Sequence, residues 1–427
     1  MDILEKYGRS VASYEGGISV NGGENGYFEA IQATDGQLTM GCFWPDAKIA
    51  HSLQVGNPEI TIDAWDKAGW ALTVEGETFC KNATMYGSGM TYATMLPRRL
   101  RATKFPEHLT KVGFTGTRFA VTNLLVWDSR SKVVDPVNIA ISDWRITIKA
   151  VEDYTQRSER LQAVSGIEHT AFLEIRQANE TRLSLNEAAL FMDDLVPALR
   201  LWSGNKLDWL YGEGLDDSGS EVLERLHKNC VVGRYSNHLS NIGWEINLVS
   251  LLDSYFSGSH LLDRQTLKEL IAYFVDACAS GPYFEIRALQ LATLLDLITL
   301  KLSTSIAQHE ILSGSEYNKE ILPKLKKAVD DTTVSNSIKQ QIRNNLQGLF
   351  RTSFRRRLRT LSTHLSLDLN KVIMNRVYTA RNDLVHEGRF PGKQREQQLK
   401  DYQSLLWTDA ASLFRISGYA GELPAKP

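Results

Sequence analysis

The chain has 427 residues, of which 43% are hydrophobic and 23% are charged, and its formal net charge is -2. This is the composition of an ordinary soluble globular protein rather than of a fibrous or disordered one, and the length predicts two or three domains. The small net charge excludes no partner, because an average over the chain can hide local asymmetry.

Three features bear on the compartment. The opening residues, MDILEKYGRSVASYEGG, contain no apolar run of signal-peptide length. The most apolar helical stretch, Ala288 to Leu300, contains Asp296 and is too short to span a bilayer. The cysteines are too dispersed for a disulfide framework or a structural zinc site; they are Cys42, Cys80, Cys230 and Cys278. We therefore expect a cytoplasmic protein with reduced thiols, no membrane segment, and no metal or other cofactor.

The first half of the chain is rich in alternating apolar and polar residues. Ile62 and Ala64 flank Asp63, Trp70 and Leu72 flank Ala71, and the same alternation runs through WRITIK from Trp144 to Lys149. A period of two predicts half-buried strands, and Asn-Gly dipeptides at residues 21–22 and 25–26 predict turns between strands. Residues 1–182 are therefore predicted to form an antiparallel sandwich or barrel.

Five tryptophans lie in this half: Trp44, Trp65, Trp70, Trp127 and Trp144. Their number is consistent with a ligand-stacking surface, but packing in the core of the sandwich or barrel is the interpretation we favour.

The pattern changes at Ser184. LNEAALFMDDLVPALRLWSG predicts one helix that ends at Gly204, and GEGLDDSGSE predicts a loop after it. Between Leu183 and Glu224 there are nine acidic residues, against Arg200 and Lys206 only. We interpret residues 183–240 as an acidic helical connector.

Beyond about Asn241 the apolar residues recur with helical spacing. Helices are predicted in LDRQTLKELIAYFVDACASG and in PYFEIRALQLATLLDLITLKLSTSIAQHEIL. Further helices are predicted around Tyr317–Asp330, Ser335–Thr363, Asp368–Glu387 and Lys393–Ser417. Long periodic segments with short breaks predict an antiparallel bundle over residues 241–427, so the fold class is α+β.

One stretch of the predicted bundle is basic. Between Ile321 and Thr360 there are ten lysines and arginines against Asp330 and Asp331. Concentrated positive charge is an electrostatic footprint for a phosphate backbone, although a solvated helical face would look the same. The residues expected to bind RNA are Lys324, Lys327, Arg355, Arg356, Arg357 and Arg359.

The segment ARNDLVHEGRF, residues 380 to 390, concentrates the groups that can do chemistry. Arg381 is followed by Asn382 and, five residues on, by His386. The same Arg-x4-His spacing recurs by chance in RTLSTH, from Arg359 to His364. Only the first match has an adjacent asparagine and a glycine, Gly388, that can end a helix in the left-handed conformation.

Helical geometry gives this segment two apolar stripes. Ile373, Val377, Ala380 and Leu384 form the stripe that should face the core. Met374, Tyr378, Arg381 and Val385 form a second stripe about a quarter to a third of a turn away. Covering that stripe takes either another helix of the bundle or a second subunit. We predict a homodimer interface at Met374, Tyr378 and Val385.

The residues of this segment suit phosphodiester chemistry. A histidine near neutrality can exchange a proton with a sugar hydroxyl or a leaving oxygen. An arginine can hold a phosphate with two hydrogen bonds, and an asparagine can orient either residue. RNA supplies its own nucleophile, the 2′-hydroxyl, so this reaction requires no metal.

At this point the residues resemble a known family. Arg-Asn-x-x-x-His late in a helical bundle resembles the HEPN domains, many of which are metal-independent endoribonucleases. The resemblance covers roughly Leu262 to Tyr419. It implies that Arg381 and His386 are the catalytic pair and that Asn382 is the polar residue beside the arginine. Asp296 stands where the family's earlier long helix commonly carries an acidic residue, which makes it a candidate orienting acid.

The arrangement of a β-rich domain before RNDLVHEG is similar to that of ApeA-type anti-phage proteins. This resemblance implies an endoribonuclease that acts on RNA in antiviral defence by abortive infection, as a toxin. It also implies that the β-rich half recognises a trigger, either a phage-derived molecule or a small molecule. Two alternatives stay open. One is a non-catalytic HEPN module that dimerises or binds partners or nucleic acid. The other is a DNA-binding or regulatory protein that uses the basic tract.

Overall fold

The chain forms two compact units, Met1–Phe256 and Ser257–Pro427. The first is β-rich and the second is helical, so the predicted α+β class is confirmed. The computed structural model describes residues 10–20, 25–44, 62–85, 91–104, 113–126, 135–164, 166–219, 221–230, 246–258, 260–279, 284–306, 314–346 and 352–427.

Six strands of the first unit close into an antiparallel barrel. Their order is β3-β2-β1-β4-β5-β6, and β3 also pairs with β6 to complete the ring. Closure leaves no free edge among these strands. The strands are β1 (Ser10–Val20), β2 (Asn25–Ala33), β3 (Leu38–Trp44), β4 (Ile62–Asp66), β5 (Ala71–Met85) and β6 (Thr91–Thr103).

The sheet continues from β6 through six more strands in the order β12-β11-β7-β10-β9-β8, and every pairing is antiparallel. These strands are β7 (Thr117–Thr122), β8 (Val137–Ile141), β9 (Trp144–Ala150), β10 (His169–Gln177), β11 (Trp209–Leu215) and β12 (Val222–Lys228). The helices of this unit are α1 (Tyr154–Val164), α2 (Leu185–Ser203) and α3 (Leu248–Phe256).

The tryptophans of the first half have different environments. Trp44 and Trp70 are buried in the barrel core, as predicted. Trp144 is half-buried and stacks on Phe191 with ring centroids 4.2 Å apart. Trp65 is 54% exposed, so the prediction that it packs in the core is wrong. Trp127 lies outside the described residues.

The stretch predicted as an acidic helical connector, residues 183–240, is not a separate element. Its helix is α2, which begins at the capping residue Ser184 and ends at Gly204, as predicted. Part of the predicted loop is strand β11. Gly212 and Gly214 lie in this strand under the rings of Phe119 and Phe114, where a Cβ atom would collide with the ring. These glycines allow close packing rather than mark a loop.

The acidic residues of this stretch pair with basic residues of the same sheet. Glu213, which is 2% exposed, accepts hydrogen bonds from Arg118 and Arg225. The first unit also extends beyond residue 240, because α3 packs on α2 and Phe256 lies against Phe191 with centroids 5.2 Å apart. The observed division therefore follows Phe256, whereas the sequence analysis placed it after residue 240.

The second unit is a bundle around one central helix, α5 (Phe284–Ser305), which packs against four other helices. A three-residue helix (Gly314–Glu316) and a π-helical turn (Tyr317–Ile321) precede the helix Leu322–Asp330. None of the helices in the described ranges is long and apolar enough to cross a membrane. The helices that follow or precede α5 are α4 (Arg264–Ala279), α6 (Leu322–Asp330), α7 (Asn336–Leu346), α8 (Phe354–His364), α9 (Lys371–Glu387) and α10 (Arg395–Ile416).

Helix α9 carries the segment on which the functional predictions depend. The Asn370 side chain accepts a hydrogen bond from the backbone of Ile373 and caps its start. Gly388 ends it in the left-handed conformation with φ of 69°, as predicted. The stripe Ile373, Val377, Ala380 and Leu384 is buried, which confirms it as the core face.

We predict that two buried histidines make the first unit sensitive to acid. His227 shares a 2.8 Å hydrogen bond with Tyr14, and burial, followed by the charge of Arg225, lowers its pKa to about 3. Burial, followed by the charge of Arg157, lowers the pKa of His169 to about 4. The unfolded chain protonates both residues below about pH 6.5, whereas the folded chain keeps them neutral. Their contribution is therefore complete above pH 6.5 and is lost as the pH falls toward the folded values.

Each histidine should lower the free energy of unfolding by about 1.4 kcal/mol per pH unit between about pH 6 and pH 4.5. His227→Gln should reduce the slope of unfolding free energy against pH by about 1.4 kcal/mol per pH unit, the contribution of one histidine. Urea unfolding followed by tryptophan fluorescence measures it, because eight of the nine tryptophans lie in the first unit. His364→Gln, which alters an exposed histidine of the second unit, is the control. An unchanged slope in His227→Gln would contradict the prediction.

Candidate functional site

The site is built on a carboxylate that two arginines share. Asp296 lies on α5, and its Oδ1 accepts a 2.5 Å hydrogen bond from Nη2 of Arg357 on α8. Its Oδ2 accepts a 2.6 Å hydrogen bond from Nη2 of Arg381 on α9. The side chains of Arg357 and Arg381 are only 15% and 14% exposed. One acidic residue of the central helix therefore joins α8 and α9 to α5.

An aromatic pair covers the other side of Arg381. Its guanidinium carbon lies 4.8 Å from the centroid of the Phe354 ring. Phe354 in turn stacks on Tyr378, with centroids 6.3 Å apart and planes at 18°. A guanidinium over a ring face gains electrostatic attraction in addition to packing. The arginine is thereby held between a carboxylate and a ring.

The remaining donors of Arg381 fix its orientation further. Its Nη1 donates a 3.1 Å hydrogen bond to Oδ1 of Asn382. Its Nε is buried and has no acceptor in the described part of the chain. The neighbouring asparagine thus helps to orient the arginine.

His386 occupies a different environment. It is exposed in the last turn of α9, one turn after Asn382. At 1.5 Å per residue it lies about 7.5 Å beyond Arg381 along the helix axis. The segment therefore combines a fixed cation with a solvent-accessible proton carrier.

A second ion-pair cluster holds the chain just after α9. Lys393 contacts Asp383 at 2.7 Å and Asp401 at 2.9 Å. Burial alone would lower the pKa of Lys393, but its hydrogen bonds to these two carboxylates raise it above its ordinary value. This lysine ties the end of α9 to α10 and so restricts the turn that presents His386.

The predicted RNA-binding residues are not equivalent. Arg357 belongs to the Asp296 cluster and has little exposed surface. Arg355 lies over the Tyr378 ring at 5.5 Å and donates to Asn375. Arg356 and Arg359 are exposed and line an open cleft. Lys324 and Lys327 are exposed on α6, in a helical hairpin with its own small core.

The predicted interface residues also differ from one another. Met374 and Tyr378 are half-buried, and Tyr378 is partly covered by Phe354 of the same chain. Val385 is 40% exposed, and Val372 on the same helix is 63% exposed. The stripe is therefore partly covered by α8 and open toward the end of α9, beside His386.

In the sequence, only the family resemblance indicated that Asp296 belongs to the same site as Arg381. Sequence reasoning missed Arg357 as the second partner of the carboxylate, and Phe354 as the ring beneath both arginines. The run FRRRLR drew attention only as a charge cluster. Its helical spacing, which puts Phe354 and Arg357 on one face three residues apart, was the available signal.

Two further observations concern ligands and relatives. Among the described residues no group of three or more His, Cys, Asp or Glu side chains is arranged to hold a metal ion.

A family model described as the YopA central domain matches residues 120–238, which lie in the first unit and include none of the site residues. Comparison with curated proteins and with solved structures gives no match.

We predict that Asp296→Asn destabilises the helical unit. The change leaves two half-buried guanidinium groups with one neutral acceptor, and should cost about 1–3 kcal/mol of unfolding free energy, because a charge-assisted hydrogen bond is lost and a donor is left unpaired. Adding Arg357→Gln should restore part of the loss by removing one cation. Chemical unfolding followed by circular dichroism measures both variants.

Glu387→Gln, at an exposed acidic residue of α9, is the matched control for the lost negative charge. If Asp296→Asn is as stable as this control, the shared carboxylate does not hold the three helices together.

Proposed function

We propose that the protein is a metal-independent endoribonuclease whose site is formed by Arg381, Asn382 and His386. The observation that carries the proposal is the combination of an immobilised guanidinium and an exposed histidine on one helix. Phosphodiester cleavage needs both functions: a positive group fixed where charge develops, and a group that can take up and release a proton.

The reaction is attack by the 2′-hydroxyl of RNA on the adjacent phosphorus. A histidine accepts the hydroxyl proton as the new P–O bond forms, and Arg381 stabilises the added negative charge on the phosphate oxygens. The bond from phosphorus to the 5′-oxygen then breaks, and that oxygen takes a proton from a protonated histidine. The products are a 2′,3′-cyclic phosphate and a 5′-hydroxyl.

A second copy of the chain fits this chemistry. One protomer supplies a single His386, whereas the reaction uses one base and one acid. A two-fold interface at Val385 would bring two copies of the segment into one cleft, because an isologous contact places each residue near its mate. The arginine of one protomer would then assist the histidine of the other. We therefore propose a homodimer with its seam at the open end of α9.

The proposed role is defence against phage in the cytoplasm by cleavage of cellular RNA. The β-rich unit would then recognise the trigger. Among the described residues of its barrel, Phe43 is 42% exposed and Trp65 is 54% exposed. Exposed aromatic surface offers contact area to a protein or a small-molecule ligand.

The alternative is a non-catalytic module that dimerises or binds nucleic acid. One observation favours it: Arg381 is mostly buried and already paired with Asp296, as a purely structural arginine would be. The two proposals differ in whether phosphate can reach Arg381 and in whether RNA is cut.

We predict that full-length protein cleaves RNA and leaves 2′,3′-cyclic phosphate and 5′-hydroxyl ends. A single 2′-deoxy sugar at the cleavage position should block the cut, and EDTA should not. Arg381→Gln and His386→Ala should each lower the rate at least about a hundredfold, since loss of a proton-transfer group or a charge-stabilising donor has effects of that size.

Arg389→Gln removes an exposed positive charge beyond the helix end and serves as the matched control. Cleavage of DNA, complete inhibition by EDTA, or full activity in His386→Ala would each contradict the proposed mechanism. Binding of RNA without cleavage in every condition would favour the non-catalytic alternative.

We predict opposite outcomes for glutamate at two adjacent positions of α9. Val385→Glu should leave the helical unit folded and dissociate the dimer, because an unpaired carboxylate is costly to desolvate at an interface. Leu384→Glu should unfold the unit, since Leu384 is fully buried. Sedimentation and circular dichroism on both variants test this. Wild-type protein that is monomeric at micromolar concentration and fully active would rule out the seam.

A further inference from the structure

An open cleft lies along α8, on the helix that also supplies Arg357 to the Asp296 cluster. Its volume is about 290 Å³, and its lining contains two arginines, two threonines and a histidine. The lining residues are Ile306, Arg356, Arg359, Thr360, Thr363 and His364. None of the residues of the proposed catalytic site lines it.

Helical spacing explains why these side chains share one wall. Arg356, Arg359 and Thr360 stand at positions i, i+3 and i+4, and Thr363 and His364 continue the same face one turn later. Residues three and four apart on a helix are neighbours. The cleft therefore presents guanidinium, hydroxyl and imidazole groups side by side.

The charge on this wall is not neutralised by the described part of the chain. Arg355 and Arg357 are engaged by Asn375 and Asp296, respectively. Arg356 and Arg359 form no ion pair with any carboxylate in the described ranges, and both are exposed. Two like charges one turn apart repel each other, and an anion bound between them would relieve that repulsion.

A second hollow adjoins the first. Its volume is about 410 Å³, and Arg359 and Thr363 line both. It adds the side chains of Ser362, Ser366, Asp368, Leu369 and Met374. The Asp368 carboxylate is held by Lys426 at 2.6 Å, which offsets its charge. A group attached to an anion in the first hollow would thus extend among hydroxyl groups and one carboxylate.

We propose that the paired hollows on α8 bind a phosphate ester, with the phosphate at Arg356, Arg359 and His364 and its sugar in the second hollow. Two planar guanidinium groups offer the several N–H donors that phosphate oxygens accept, and the hydroxyl-rich hollow suits a ribose. Two sources share this chemistry, a phosphate of an RNA strand and a free mononucleotide. The proposal does not depend on cleavage at Arg381 and His386.

Calorimetric titration of the full-length protein tests it with three probes: inorganic phosphate, adenosine 5′-monophosphate, and a single-stranded 2′-O-methyl oligonucleotide, which cannot be cleaved through the 2′-oxygen. The test variant is Arg356→Gln with Arg359→Gln. The matched control is Lys301→Gln with Lys371→Gln, which removes the same charge from exposed positions that line neither hollow. Circular dichroism verifies that both double variants are folded.

We expect the test variant to lose at least about tenfold in affinity for the probe that occupies the cleft, and the control to stay within about twofold. If the source is RNA, only the oligonucleotide is affected, and its log–log salt slope falls by about 1.4, because each lost phosphate contact on a single strand removes about 0.7. If the source is a mononucleotide, affinity for adenosine 5′-monophosphate falls and inorganic phosphate binds more weakly than the nucleotide.

The proposal is overturned if wild-type protein binds none of the probes, or if test and control variants bind them equally. Neither adenosine 5′-monophosphate nor the 2′-O-methyl oligonucleotide can be cleaved through a 2′-oxygen, so both report binding at α8 whether or not the protein is a ribonuclease, and a failure of the ribonuclease proposal is seen separately in the cleavage assay.

Discussion

The carboxylate of Asp296 is the contact on which the helical unit and its candidate site both depend. Helix α5 is apolar on most of its surface, as suits a helix surrounded by others, and this one acidic residue meets two guanidinium groups. Two cations confined beside one phenyl ring would repel each other without it. The same pair of hydrogen bonds therefore sets where α8 and α9 lie on α5 and how Arg381 is oriented.

This arrangement separates the two proposed functions along α9, which are charge stabilisation at Arg381 and proton transfer at His386. Arg381 is rigid because a carboxylate, a ring and the neighbouring asparagine occupy three of its sides. His386 is exposed beyond the last buried residue of the helix, Leu384. A preorganised charge needs no rearrangement when a phosphate approaches, whereas a proton carrier must reach solvent or substrate. The cost is that part of the arginine's charge is offset by Asp296.

Local pattern was sufficient for the elements and for the faces they bury. Alternation located strands such as β9, and the 3.6-residue period identified the four buried residues of α9. Local pattern could not show which strands pair with each other or which side chains meet. The β3–β6 pairing that closes the barrel joins residues about fifty positions apart, and Arg357 meets a carboxylate 61 positions away. Gly212 was misread because a glycine that admits a ring and a glycine that makes a turn look alike in sequence.

The two Arg-x4-His segments show what the spacing itself means. Five residues of α-helix turn through about 500°, so the arginine and the histidine point about 140° apart. In α9 this divergence lets Arg381 reach the core carboxylate while His386 stays in solvent. In α8 no carboxylate meets Arg359 in the described residues, and both Arg359 and His364 border the same open cleft. The chemistry of the segment therefore depends on the acid that faces its arginine, because the spacing alone occurs in both helices.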